Sequence, residues 1–274
     1  MAEEVETIIK YESRFNFGVR EIWQKRELLF FFIWRDVKVK YKQTFFGVAW
    51  VVFQPLLMMF VFIFVLGERF RKELGDLDYG TFILSGFLLW NVFSSALNGA
   101  GNSMVSNSNI IKKIYFPRLI IPISAVASAF FDFFIALVIY IAALMYFRTP
   151  IHIVGFFWIL PVFLLTAMAA IGSGSMISAL NVKYRDFRYI LPFMIQALMF
   201  MSPVLYPVCQ NCGWASKLFA INPMYAPIEL FRMHLQGYSP EMGLVLISCG
   251  VNFVLLVTGI FTFRKMEHYF ADLA

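Results

Sequence analysis

Charge is what this sequence has least of. Asp, Glu, Lys and Arg make up 15% of its 274 residues, against about 25% in an average soluble domain. With 60% of residues hydrophobic, too little polar material is left to coat one large soluble core, and a bundle of membrane spans fits better. Histidine is equally scarce. His152, His234 and His268 are scattered and make no metal constellation. Of the three cysteines, Cys249 falls in the last apolar run and reads as inert, while Cys209 and Cys212 form C-Q-N-C. The topology below puts that pair outside, as a disulfide or as two free thiols. The motifs G-x-x-x-x-G-K-[ST], H-E-x-x-H and G-x-S-x-G are all absent, so no catalytic, cofactor-binding or metal-binding residue is assigned. Met1 to Glu12 is acidic without an apolar core, and no cleavable signal peptide is read there.

What is present begins with one stretch, Trp34 to Gly67. Arg35, Lys38, Lys40 and Lys42 come first; then Gln43 to Gly67 holds no Asp, Glu, Lys or Arg. A charge-free run of that length crosses a hydrocarbon layer of about 30 Å, which takes about 20 helical residues. Cations packed against one end of a span hold that end in the cytoplasm. The net charge of +6 follows from the same rule and does not call for nucleic acid.

The predicted fold is an all-α membrane protein. Residues 1–42 are a cytoplasmic tail and an amphipathic interface helix over Glu21 to Tyr41, lying at the membrane surface; residues 43–274 form the transmembrane domain. Six spans are expected, at about 46–66, 81–104, 120–146, 154–180, 190–206 and 243–263. Gln54-Pro55 predicts a kink in the first, because proline removes a backbone donor. Gly172, Ser173, Gly174 and Ser175 allow close helix approach in the fourth. Pro207 to Glu241 is too polar to span and too apolar for a loop, and reads as short re-entrant or interfacial helices with a turn at Asn222-Pro223. Seventeen of the 23 Lys and Arg fall on the side of the termini, which makes a multi-pass protein with both termini cytoplasmic.

Ionisable residues inside spans are costly and usually functional. Asp132 is the one found here, either a polar element of a pathway or a carboxylate bonded to a neighbouring helix, with Asn91, Ser94 and Asn98 as candidate partners. Aromatic residues recur at helical spacing: Phe46, Trp50, Phe53, Phe60 and Phe64 in the first span, Phe82, Trp90 and Phe93 in the second, Phe193 and Phe200 in the fifth. Such faces stack on sugar rings without fixing them, which suits a moving polymer. The plainer reading of each is bundle packing or contact with lipid. The basic loops Asn107 to Tyr115 and Lys183 to Arg188 are either solvated or surfaces for a partner protein.

Several of these segments together are similar to one family. Arg35-Asp36, Lys40-Tyr41, Phe46-Gly47, Trp50 and Gln54-Pro55, then NIIKKIYFPRLIIPIS (Asn109 to Ser124), NVKYRDFRYIL (Asn181 to Leu191), SPVLYPV (Ser202 to Val208), Asn222-Pro223 and FRKMEHYFADL (Phe263 to Leu273) resemble the permease subunits of ATP-binding-cassette polysaccharide exporters, which move O-antigen, capsule and teichoic acid. The resemblance implies a homodimer in the bacterial cytoplasmic (inner) membrane with two separate ATPase subunits bound inside, so that ATP and Mg belong to the partner and no cofactor to this chain. It implies coupling to the ATPase through Arg35 and Asp36, through Asn107, Asn109, Ile110, Ile111, Lys112 and Lys113, and through Tyr184, Arg185 and Asp186. It also implies an aromatic-lined channel for a lipid-linked polysaccharide, with candidate lining residues Phe46, Trp50, Phe53, Phe60, Phe82, Trp90, Phe93, Phe193 and Phe200. The alternatives are an exporter of the same class for a drug or small lipid, a secondary transporter, and an enzyme acting on polyprenyl-linked sugars.

Overall fold

The computed structural model describes residues 19–42, 47, 49–74, 77–208, 214–235 and 238–267. Phe46, Cys209, Cys212, His268 and both chain ends lie outside the described residues. Among those residues the secondary structure is helical apart from one isolated bridge between Ile151 and Leu235. The helices are α1 (Val19–Gln24), α2 (Arg26–Lys42), α3 (Ala49–Leu74), α4 (Tyr79–Ser106), α5 (Ser108–Ile111), α6 (Ile120–Tyr146), α7 (Ile159–Lys183), α8 (Phe187–Phe200), α9 (Trp214–Ala220), α10 (Tyr225–Phe231) and α11 (Met242–Met266).

Five of them, α3, α4, α6, α7 and α11, are long and apolar enough to cross a membrane. The shorter apolar helix α8 takes the place of the fifth expected span. Its 14 residues rise about 21 Å, less than a bilayer core. It stops at Phe200, not at 206, because Ser202-Pro203 follows and the residue before a proline is pushed out of the helical region. The open end is closed from a distance. The Asn222 side-chain amide donates to the Leu198 carbonyl at 3.1 Å and to Ser202 Oγ at 2.9 Å, supplying a partner for an orphan carbonyl of the last turn. The fourth span likewise starts later than expected. Residues 153–158 form a separate 3₁₀ segment ahead of α7. The first span is assigned as one uninterrupted helix through Pro55.

α4 is the centre of the bundle, packed by α3, α6, α7 and α8. Buried positions make up 83% of its most apolar window and only 11% of that of α3, so α3 hangs on the outside of the subunit. α4 begins where Asp78 accepts a hydrogen bond from the Thr81 amide at 2.9 Å, a side-chain cap that offsets an orphan N–H and sits well with the helix dipole.

The expected interface helix is two helices, α1 and α2, broken at Lys25. α2 does not simply lie flat on a surface. Asp36 Oδ2 accepts from Ser124 Oγ at 3.5 Å, and one turn later Lys40 and Tyr41 both bind Asp132. α2 therefore climbs along α6, and its last turn reaches about 18 Å past the start of that helix.

Candidate functional site

Three groups of side chains stand out, one at the basic end of the bundle, one at the opposite end and one between.

At the basic end, a compact apolar cluster joins α2 (Phe32), the α4–α6 connection (Ile111, Phe116), the start of α6 (Ile120), α7 (Ala179) and the end of α11 (Phe263, Met266). Phe32 and Phe116 have ring centroids 5.6 Å apart. A force applied to the connection at residues 107–119 thus passes into three long helices and into α2 through side chains packed as in a protein interior. Within that connection only α5, one turn long, is helical. Ile110, Lys112, Lys113, Ile114 and Tyr115 leave surface uncovered, whereas Ile111 is buried and anchors the loop. Arg35 and Asp36 pair with each other at 2.6 Å, and the Arg35 guanidinium lies 4.6 Å from the Phe32 ring centroid. Of the two, Asp36 also reaches α6, through Ser124. Beside the second loop, a cavity of about 470 Å³ is lined in part by Ser108, Asn181, Arg185, Arg188 and Tyr189.

In the middle, Asp132 has different partners from those expected. Tyr41 donates its hydroxyl to Oδ1 and Lys40 its ammonium to Oδ2, and Lys40 also reaches Ser95 Oγ at 3.4 Å. Asn91, Ser94 and Asn98 share a cavity of about 250 Å³ with this cluster, closed on the other side by Trp50, Gln54 and Pro55.

At the opposite end, Arg232 is fully buried. Its guanidinium donates to the carbonyls of Pro203 (2.5 Å), Phe82 (3.1 Å) and Val204 (3.2 Å) and to Ser85 Oγ (3.2 Å), lies 3.5 Å from the Phe82 ring centroid and faces Glu229 at 3.7 Å. Glu229 in turn accepts from the Tyr238 hydroxyl at 2.7 and 2.8 Å. One side chain thereby ties the start of α4, the segment after α8 and the α10 hairpin into one block. Arg232→Lys is expected to lower stability by about 2–4 kcal/mol, since an ammonium has neither the fork nor the five donors to satisfy the same carbonyls; a thermal melt of the detergent-solubilised protein followed by size-exclusion chromatography checks it. Sequence reasoning missed this residue. Its one signal was an opposite-charge pair, Glu229 and Arg232 at i, i+3 spacing, in the otherwise apolar segment Ile228–Met233.

The aromatic candidates separate cleanly. Phe82, Trp90 and Phe93 are 0%, 3% and 0% exposed; contrary to the expectation that they line a channel, they pack inside the subunit's own core. Trp50, Phe53 and Phe60 on α3 and Phe193 and Phe200 on α8 project from the subunit, with Trp50 stacked on Phe53 at 5.9 Å.

Comparison with known proteins gives a consistent picture. The family model described as ABC-2 type transporter matches residues 27–235. The chain is 26% identical over 258 residues to the O-antigen export system permease protein RfbA of Myxococcus xanthus, covering 93% of this chain and 98% of that protein. It is 21% identical over 244 residues to the polysialic acid transport protein KpsM of Escherichia coli, covering 85% and 91%. It is 24% identical over 237 residues to the capsule polysaccharide export inner-membrane protein CtrC of Neisseria meningitidis, covering 82% and 86%.

Proposed function

The chain belongs to the ABC-2 type transporter family, and from that premise we propose that it is the membrane subunit of an ATP-driven exporter of lipid-linked polysaccharide. The observation that carries the reading is a likeness running nearly end to end to relatives named for O-antigen, polysialic acid and capsule export. The basic end faces the cytoplasm, a reading that the bias of Lys and Arg toward that end supports. Two copies pair through the sides bearing α3 and α8, whose exposed Phe53, Phe60, Phe193 and Phe200 otherwise have lipid to meet. Separate ATPase subunits, holding ATP and Mg, dock on the loops at 107–119 and 184–188.

The chain's own residues supply the response to the ATPase. Lys112, Lys113, Ile114 and Tyr115 take the push, and the cluster around Phe32, Phe116 and Phe263 passes it to α2, α6 and α11. The Arg232 block at the other end holds the α10 hairpin as one body, so the spans move as near-rigid units between two fixed knots.

Deletion in the native host, followed by analysis of glycan on each side of the inner membrane, tests the reading. Finished lipid-linked polymer is expected to accumulate inside with none at the surface. Unchanged surface glycan overturns the assignment. Copurification of a dimer with its ATPase tests the assembly.

A further inference from the structure

The two halves of α4 are built differently. From Tyr79 to Trp90 every residue is buried. Between Asn91 and Asn102 one face opens, at positions 91, 94, 95, 98, 99 and 102, the i, i+3, i+4, i+7 pattern of a single helical face. Those positions hold Asn, Ser, Ser, Asn, Gly and Asn, without one apolar side chain. Open faces elsewhere in the bundle are of the opposite kind. α6 exposes Phe131, Phe134 and Val138, and α11 exposes Leu246, Phe253 and Val254, as contact with lipid requires. An uncovered row of amides and hydroxyls at membrane depth does not face hydrocarbon, where each unsatisfied polar group is costly.

The row is about 16 Å long, eleven steps of 1.5 Å each, and it runs from one of the cavities already described toward the other. Its upper end forms a wall of the cavity opposite Trp50 and Gln54. Downward, the Asn102 amide donates to Asn98 Oδ1 at 2.9 Å, and Asn181 donates to the Gly101 carbonyl at 2.7 Å. Asn181 also lines the cavity at the basic end, and among the described residues its buried Oδ1 has no hydrogen-bond partner. No charged residue lies on the row, and the charges beside its upper end are closed on each other as the Lys40–Asp132 pair.

We propose that this face is a membrane-embedded binding track for uncharged sugar residues, with Asn91, Ser95, Asn98 and Asn102 exchanging hydrogen bonds with sugar hydroxyls and Trp50 offering a stacking wall. Amides and hydroxyls both donate and accept, so they engage hydroxyls in any orientation and release them equally readily. An acidic polymer would find no cation on the row to pair with. The track rests on the export reading and names the part of the path inside the inner half of the membrane.

Water access is tested in a background with Cys209, Cys212 and Cys249 changed to Ser. Asn91→Cys, Asn98→Cys and, as a lipid-facing reference, Val138→Cys are compared in inside-out vesicles carrying the full complex, using a charged methanethiosulfonate reagent. Modification at 91 and 98 is expected to be at least about tenfold faster than at 138 and to slow when the host's own lipid-linked polymer is present. Equal rates at all three positions overturn the track. In cells, Asn91→Leu/Asn98→Leu is expected to cut surface polymer at least about tenfold while the protein still purifies as a dimer with its ATPase, and Asn98→Gln is expected to restore most export. A dimer lost in the Leu variant means the face is a subunit contact, which overturns the proposal. If deletion traps polymer but the Leu variant exports normally, the track fails and the export reading stands; if deletion traps none, the export reading itself fails.

Discussion

Asp132→Ala is expected to abolish export and loosen α2 from the bundle, because one carboxylate holds two donors from the last turn of that helix. Without it the Lys40 ammonium loses its counter-charge and keeps the Ser95 hydroxyl, and Tyr41 loses the carboxylate it donates to. Breaking a buried pair by removing one partner costs about 3–5 kcal/mol. The Lys40 side chain is 43% exposed, so solvent recovers part of this, and about 2–3 kcal/mol is the expected loss. Lys40→Met is expected to be milder. The carboxylate left behind keeps the Tyr41 hydroxyl as a donor, whereas an orphaned lysine keeps no partner of opposite charge. The pair Lys40→Met/Asp132→Leu removes both charges and is expected to recover most of the stability, giving a coupling energy well outside additivity. Limited proteolysis at α2 together with surface glycan reads out the series. Equal protection of α2 in wild type and Asp132→Ala would show that the cluster does not hold the helix.

The consequence reaches beyond stability. Lys40 also contacts Ser95, so the same lysine that pins α2 lies against the polar row of α4. Any motion of α2 driven from the apolar cluster around Phe32 pulls on this contact. The loop at 107–119 and the upper cavity are thereby connected through one helix of 17 residues.

How much of this was legible in the sequence depends on distance along the chain. The long spans were, because charge-free runs and the loops between them are local signals. The end of α8 was not, because the asparagine that caps it sits 24 residues away from the carbonyl it binds. Asp132 was visible as an intramembrane charge, but its partners lie 91 and 92 residues earlier, and nothing local distinguishes them from Asn91 or Asn98. The second-span aromatic stripe failed for a different reason. Phe82, Trp90 and Phe93 repeat with the same helical spacing as Trp50, Phe53 and Phe60, and period alone reports a face without saying what covers it. Composition within the face is the better guide. The row Asn91, Ser95, Asn98 and Asn102 carries the polar spacing openly, and only the burial of its neighbours shows that it borders a space. The small residues of α7 belong with the legible features, since Gly172 and Gly174 do admit close neighbours.

Gly259→Val is expected to be the most damaging single substitution in the bundle. A Cβ built on Gly259 would lie 1.9 Å from the Gly172 carbonyl oxygen, and one on Gly172 would lie 2.5 Å from that of Leu255. α7 and α11 therefore touch backbone to backbone, and no flexible side chain can give way. In lipid the helices are held by close packing and not by exclusion of water, so forcing them apart forfeits most of what joins them. Overpacking of this kind costs more than about 3 kcal/mol. The displacement would not stop at the pair. From α11, Asn252 donates to the Pro223 carbonyl at 2.9 Å and Ser248 Oγ to that of Asn222 at 3.0 Å, and Asn222 caps α8. Moving α11 thus pulls the α9–α10 hairpin and unseats the end of α8. The amount of monodisperse protein on size-exclusion chromatography is expected to fall at least about fivefold for Gly259→Val. Gly174→Ala, which meets only the Ala100 methyl at 2.7 Å, is expected to fall in between. Gly250→Ala, with nothing within 4 Å, is expected to match wild type within about 0.5 kcal/mol. That order follows from backbone contact alone, and normal accumulation of Gly259→Val would mean that α7 and α11 do not meet at these glycines.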